Sequence, residues 1–239
     1  MPDRHFHRVI IKVSGEMLGG GQGFGIDGDA IERVGEEIAL VQKSGRSVAV
    51  VVGGGNIFRG SNAKRLGMER AAADYMGMIA TIINGLALQA VLEGKFKLNT
   101  RVMTAIHMAE IAEPYIRRKA LKHLDAGRIV IFAGGTGNPL FTTDTAAALR
   151  AREISADVML KATKVEGVFD KDPQKYPDAV KFDKLTYIDV ISKKLDVMDM
   201  TAITMCMEAS LPIIVFKMDA KGCVLQAITR AGEIGTLVE

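Results

Sequence analysis

Short apolar runs rich in β-branched residues alternate along the chain with longer stretches whose apolar positions recur every three to four residues. Uninterrupted runs of this kind suit strands covered on both faces, because a strand covered on one side only alternates apolar with polar positions. Val9–Val13, Ser47–Val52, Arg101–Thr104, Arg128–Ala133, Asp157–Lys161 and Pro212–Phe216 read as such strands, with a late one at Thr236–Val238. Between the first two lies Asp29–Ser44, where Ile31, Val34, Ile38 and Val41 share one helical face and Gly45 stands as a C-terminal cap. Further helices are predicted at Glu69–Leu92, Glu113–Asp125, Asp144–Ile154, Asp199–Ala209 and Lys221–Arg230. Strands and helices in this alternation give an α/β fold around a mainly parallel sheet. Thr163–Leu185, rich in Lys, Asp, Pro and Gly, follows neither period and reads as a functional excursion. With no internal repeat or low-complexity linker, residues 1–239 are expected to share one continuous sheet. Met198, Met200, Met205 and Met207 read as flexible core filler.

Composition narrows the class. A chain of 239 residues, 48% hydrophobic and 25% charged, buries enough surface to fold without a disulfide or metal staple. Its net charge of +3, with no basic run, argues against nucleic acid as the main partner. Cys206 and Cys223 form no CxxC pair, which excludes a zinc cluster or disulfide framework and fits a reducing cytoplasm. The polar start lacks the apolar segment of an export signal. Tyr75–Leu92 is apolar, but Gly77, Thr81, Asn84, Gly85 and Gln89 interrupt it, so it reads as a buried helix and not a membrane span.

The chemistry gathers at strand ends. Ser14-Gly15 follows the first strand, Gly53-Gly54-Gly55-Asn56 the second, Gly134-Gly135-Thr136-Gly137-Asn138 the fourth and Ala162-Thr163 the fifth. In a parallel sheet these turns lie along one edge, where bare backbone N–H groups and helix N-termini suit phosphate. Cations accompany them: Lys12 near the end of the first strand, Arg59 after the glycine triplet, and Lys161 at the end of the fifth strand. A lysine in a buried strand is costly unless its ammonium group finds a partner. Asp144 is placed to cap its helix and to orient the lysines; Asp74, Asp170 and Asp172 also stand at element ends or in the long loop.

No GxxxxGK[ST] motif occurs, and the GxGxxG formed by Gly23, Gly25 and Gly28 lies too far beyond its strand for a dinucleotide fingerprint. Two glycine-rich sites with convergent cations point to two phosphorylated ligands and phosphoryl transfer. A phosphate acceptor is mostly ionised at neutral pH, its second pKa being about 6, so no general base is needed. His5, His7, His107 and His123 accordingly read as surface or structural residues. What the transfer needs is charge cancellation by lysine, arginine and magnesium.

Lys12-Val13-Ser14-Gly15-Glu16, Gly23-Phe24-Gly25-Ile26-Asp27, Gly53 through Gly60, Asp74-Tyr75-Met76-Gly77-Met78, Thr136 through Asp144 and Lys161 through Phe169 together resemble the bacterial uridylate kinases of the amino acid kinase family. The resemblance runs in order over nearly the whole chain. It implies a three-layer sandwich, with an acceptor half at about residues 1–155 and an ATP half at about 156–239. The activity it implies is transfer from ATP, with Mg2+, to UMP in pyrimidine nucleotide synthesis, by a homohexamer activated by GTP and inhibited by UTP.

By resemblance, Lys12, Arg59 and Asp144 are catalytic. Lys12, Val13, Ser14, Gly15, Gly55, Arg59, Thr163, Phe169 and Asp172 bind ATP. Gly54, Asp74, Thr136, Gly137, Asn138, Pro139, Leu140, Phe141, Thr142 and Thr143 bind UMP, and Gly20, Gly21, Gln22, Gly23, Phe24 and Gly25 form the GTP effector segment. Leu140 and Phe169 depart from residues common in the family without removing a needed hydrogen bond. Two rivals stay open: a kinase of the same fold acting on a carboxylate or carbamate, and a nucleotide-binding regulatory or storage protein without catalysis.

Overall fold

The computed structural model describes residues 6–60 and 67–239; His5 lies outside them. Strands β1 (Arg8–Val13), β2 (Ser47–Val52), β3 (Thr100–Thr104), β4 (Glu113–Pro114), β5 (Ile129–Ala133), β6 (Val158–Thr163), β7 (Lys184–Leu185), β8 (Ile213–Lys217) and β9 (Thr236–Val238) form one sheet in the order β4-β3-β5-β2-β1-β6-β8-β9-β7. All pairings are parallel except β8 with β9, as expected for a mainly parallel sheet. The helices are α1 (Gly15–Leu18), α2 (Gly28–Lys43), α3 (Arg70–Gly94), α4 (Arg117–Asp125), α5 (Thr143–Glu153), α6 (Tyr187–Ser192), α7 (Met200–Glu208) and α8 (Cys223–Thr229), with a 3-10 turn at Gly20–Gln22.

Two apolar cores flank the sheet and make it the middle of three layers. Val9, Ile11 and Val13 of β1 face the core built with α2, α3 and α8, where Ile38, Leu88 and Val224 are fully buried. Ile10 faces the other core with α4, α5 and α7, through Leu124, Ala147 and Ile203. This alternation follows from the two-residue period of a strand. It also places Lys12, which shares its face with Ile10, toward α5 and α7.

The central strand β1 has β2 on one side and β6 on the other, so the chain reverses its direction of strand addition there. Such a switch point opens a crevice beyond the carboxyl ends of the strands, where ligands bind.

Several expectations need correction. The helix expected over Glu113–Asp125 begins only at Arg117, because Glu113–Pro114 extend to pair with β3. Proline at position 114 disfavours helical geometry in the residue before it. α3 is long and apolar enough by length and composition to cross a membrane. Its face with Ala80, Ile82, Leu88 and Leu92 is buried, but Tyr75, Met76, Ile79 and Ile83 are exposed, so it is buried on one side only. Met198, Met205 and Met207 pack against the second core as expected, whereas Met200 is exposed. Both cysteines are buried and free, and burial pushes their thiols up to about 12. His7 and His107 are exposed, and His123 lies between Glu113 and Arg128. The long loop ties back on itself, with Phe169 bridging to Lys181 and Asp170 Oδ1 accepting the Val180 N–H at 2.8 Å.

Candidate active site

β1 and β6 pair in a register that sets Lys12 directly beside Lys161. Adjacent strands lie about 4.8 Å apart, so both side chains leave the same face of the sheet as close neighbours. Two ammonium groups this close repel unless a counter-charge stands between them. Asp144 supplies it: Oδ1 lies 2.9 Å from Lys12 Nζ and Oδ2 2.7 Å from Lys161 Nζ. Lys161 also donates to the Val197 carbonyl. Burial alone would raise the Asp144 carboxyl, yet the two lysines hold it below its ordinary value. Burial, with Lys12 adding to it, pulls the Lys161 ammonium down against the opposing pull of Asp144.

The placement of Asp144 follows from α5. Ala146, Ala147, Ala148 and Ala151 are buried, and their small side chains let the helix lie close to the sheet. The N-cap is not Asp144 as expected but Thr142, whose hydroxyl accepts from the Asp144 and Thr145 amides at 3.1 Å each. Thr142 is held in turn by a hydrogen bond to Asp199, which also accepts from Thr145 Oγ1 at 2.8 Å and caps α7. Asp144 is thereby free to serve both lysines.

The glycine turns crowd against β1 and α3. A Cβ on Gly15 would stand 2.6 Å from the Gly55 amide nitrogen, and one on Gly54 would stand 2.6 Å from the Gly77 carbonyl. Only glycine permits these approaches. Arg59 donates to the Gly55 carbonyl at 3.2 Å and pairs with Glu16 at 2.9 Å, while Lys164 reaches the same Glu16 at 3.4 Å.

A cavity of 250 Å³ brings together Gly54, Gly55, Asp74, Thr136, Asn138, Phe141, Thr142 and Thr143 of the expected residues, and adds Phe58, Met78 and Thr81. Gly137 and Pro139 do not line it. Leu140 is exposed with φ of 74°, and its N–H donates to Asp74 Oδ2 at 2.8 Å. This bond ties the 136–143 segment to α3.

Across the switch point a cavity of 590 Å³ is lined by Thr163, Glu16, Lys164, Lys217 and Met218, among others. Val13 is buried in β1, and Ser14 precedes α1 as its N-cap. Phe169 and Asp172 line neither cavity. Asp172 accepts the Gln174 N–H at 3.0 Å and pairs with Lys175, both of which lower its carboxyl. Gln22, Gly23 and Phe24 share a separate cleft of 340 Å³ with Gly55, Ile57 and Arg59. Gly20, Gly21 and Gly25 lie beside them outside that cleft.

The sequence reads Lys161 as a strand-end cation oriented by Asp144 but leaves it out of the residues assigned by resemblance; what the sequence does not show is that the register of β1 and β6 sets it directly beside Lys12. Among the described residues no cluster of three or more His, Cys, Asp or Glu is placed to hold a metal.

The sequence pattern of the amino acid kinase family matches residues 7–217. The chain belongs to the amino acid kinase family. Within it, the fold matches a crystal structure of UMP kinase from Bacillus anthracis at 42% identity and TM-score 0.94, covering 99% of this chain and 97% of that one. UMP kinase from Ureaplasma parvum matches at 36% identity and TM-score 0.92, covering 98% and 99%. Uridylate kinase from Archaeoglobus fulgidus matches at 26% identity and TM-score 0.74, covering 97% and 99%. The three-layer kinase fold expected from the sequence is therefore present.

Proposed function

We propose that this member of the amino acid kinase family transfers the terminal phosphoryl group of ATP to UMP, giving ADP and UDP. The observation that carries the reading is the Lys12–Asp144–Lys161 bridge at the switch point, on a sheet whose strand ends also contribute to two cavities, one lined by Gly54, Asp74, Thr136 and Asn138 and the other by Thr163. Near full-length likeness to UMP kinases supports the acceptor. An oxygen of the acceptor phosphate forms a bond to the γ-phosphorus. The bond from that phosphorus to the β–γ bridging oxygen breaks, and ADP departs with the electron pair. The acceptor oxygen is already ionised, so no base is required.

Lys12 and Lys161 neutralise charge on the transferring group, and Asp144 pairs with both and holds them in register. Gly54, Gly55 and Arg59 hold phosphate oxygens, Asp74 takes the UMP ribose, and Thr136 through Thr143 wrap the uridine. Ser14 and Gly15 meet the donor phosphates beside Val13. Bound with ATP, Mg2+ would supply charge cancellation on the triphosphate. Both oxygens of Asp144 are engaged by lysines, which fits an ion carried by nucleotide phosphates. Phe169 and Asp172 are assigned to the adenosine side by sequence position alone.

On this reading residues 1–155 form the acceptor half and 156–239 the donor half, divided between β1 and β6. Gly20–Gly25 form the GTP-responsive segment, with UTP as inhibitor; the cleft joining Gln22, Gly23 and Phe24 to Gly55 and Arg59 supports a link between effector and phosphates. The exposed apolar face of α3 supports a homo-oligomer; its being a hexamer and its place in the cytoplasm are assigned by resemblance and composition alone. A nucleotide-binding protein without catalysis would have no use for two largely buried lysines on one carboxylate. A coupled assay with MgATP over UMP, CMP, dUMP, GMP and acetylglutamate tests the assignment. UMP should turn over fastest; preference for CMP, or no turnover with any acceptor, would overturn it.

A further inference from the structure

We propose that Asn84, acting through Asn56, is a positioning residue that locks the Gly53–Gly55 turn and the segment ending at Gly25 into one fixed relation. The catalytic consequence rests on the phosphoryl-transfer reading above; the coupling itself does not. Asn56 and Asn84 are both fully buried, one after β2 and the other in α3. Their amides pair reciprocally: Asn84 Nδ2 donates to Asn56 Oδ1 at 2.7 Å, and Asn56 Nδ2 donates to Asn84 Oδ1 at 3.1 Å. Each amide has one further N–H. That of Asn84 goes to the Gly53 carbonyl at 2.7 Å, and that of Asn56 to the Gly25 carbonyl at 2.5 Å. The Gly25 N–H returns a bond to the Asn56 carbonyl at 2.8 Å.

The four side-chain N–H donors therefore have four acceptors, which is the condition under which a buried polar pair is tolerated and rigid. Aliphatic side chains would fill the same space, but they would leave the Gly53 and Gly25 carbonyls without donors. What the pair adds is direction. A trans peptide points its C=O and N–H opposite ways, so holding the Gly53 carbonyl on Asn84 fixes the Gly54 N–H away from it. Asn56 also lies against the β1–α1 turn, since a Cβ on Gly15 would stand 2.4 Å from its Oδ1. The pair thus touches three segments, Asn56 the turn after Lys12 and the Gly25 segment and Asn84 the glycine triplet, and Asn84 holds the Asn56 side chain without lining either substrate cavity.

The test compares hydrogen–deuterium exchange of residues 19–25 and steady-state UMP phosphorylation in the full chain, in Asn84→Ala and in Leu124→Ala, a core variant far from these turns. Asn84→Ala should speed exchange in residues 19–25 at least tenfold and lower kcat tenfold or more, with the KM for UMP moving less than threefold. Leu124→Ala should lower the melting temperature and leave both readouts near wild type. Where Asn84→Ala does not fold, Asn84→Ser, which keeps one shorter donor, takes its place with the same expected directions. Unchanged exchange in residues 19–25, or equal changes in Leu124→Ala, would overturn the proposal. Failure of the wild type to phosphorylate UMP would defeat the functional reading instead, and the exchange result would still decide the coupling.

Discussion

Asp144→Asn removes one negative charge and almost no volume, so its effects report on charge. In the wild type the carboxylate stands 2.9 and 2.7 Å from two ammonium groups carried at the same register of neighbouring strands. Unit charges 4 Å apart interact by about 4 kcal/mol at an effective dielectric of 20, so the unbalanced repulsion between Lys12 and Lys161 has that order. Breaking a buried ion pair from one side costs about 3–5 kcal/mol of stability. Losing one preorganised contact to the transferring group costs a factor of about 10²–10³ in turnover. The pH dependence sharpens the prediction. Lys161 is already lowered by burial and by Lys12, and Asp144 is the main influence raising it. Without that carboxylate, Lys161 gives up its proton at lower pH. Turnover of Asp144→Asn should therefore be at least 100-fold down near neutrality and fall further as pH rises, along an alkaline limb displaced to lower pH. A coupled kinetic assay across pH, alongside thermal unfolding, measures both. Wild-type turnover, or a uniform loss with an unshifted alkaline limb, would refute the reasoning.

The carboxyl of Asp144 is held below its ordinary value, so its stabilising contribution is complete above about pH 4 and disappears only as pH falls through the lower folded value. The stability gap between wild type and Asp144→Asn, read from denaturant melts, should be constant between about pH 4 and neutrality and shrink below that. Asp74→Asn should raise the KM for UMP about tenfold while kcat falls less than threefold; a loss in kcat alone would show that the residue does not hold the ribose. Gly54→Ala forces a Cβ to within 2.6 Å of the Gly77 carbonyl and 2.8 Å of the Ala80 Cβ, and should cost about 1–3 kcal/mol with a weakened acceptor site. Glu37 is buried and accepts from the Gly222 and Val224 amides at 2.5 and 3.0 Å, so Glu37→Ala should lower the melting temperature by about 5–10 °C.

The principal strands were readable to within about two residues because continuous β-branched runs have few other uses, and the long helices because their apolar faces repeat. The helices α1 and α6, of four and six residues, and the two-residue strands β4 and β7 are too short to carry a helical period or an apolar run. The late start of α4 had a visible cause in Pro114, whose effect on its neighbour outweighs helical patterning there. At the site, Lys12 and Lys161 were conspicuous as charges in buried strands, but their pairing was not, since it depends on β6 crossing to lie beside β1 instead of β5. Thr142 displaced Asp144 as the cap because two candidates only two residues apart compete for one amide end, a contest that spacing cannot decide. Asn56 stood at the end of a glycine turn and Asn84 inside an apolar run, but nothing in the sequence joined them: a buried amide pair between separate elements has no periodic signature.

The central claim is that two lysines, bridged by one carboxylate, face a phosphoryl group passing between two nucleotides. A crystal structure with UMP and a non-hydrolysable ATP analogue with Mg2+ tests it most directly. The account predicts the γ-phosphate within hydrogen-bond reach of Lys12 and Lys161, with the UMP phosphate on the Gly54–Gly55 turn beside Arg59. Nucleotides bound with their phosphates away from both lysines would contradict it.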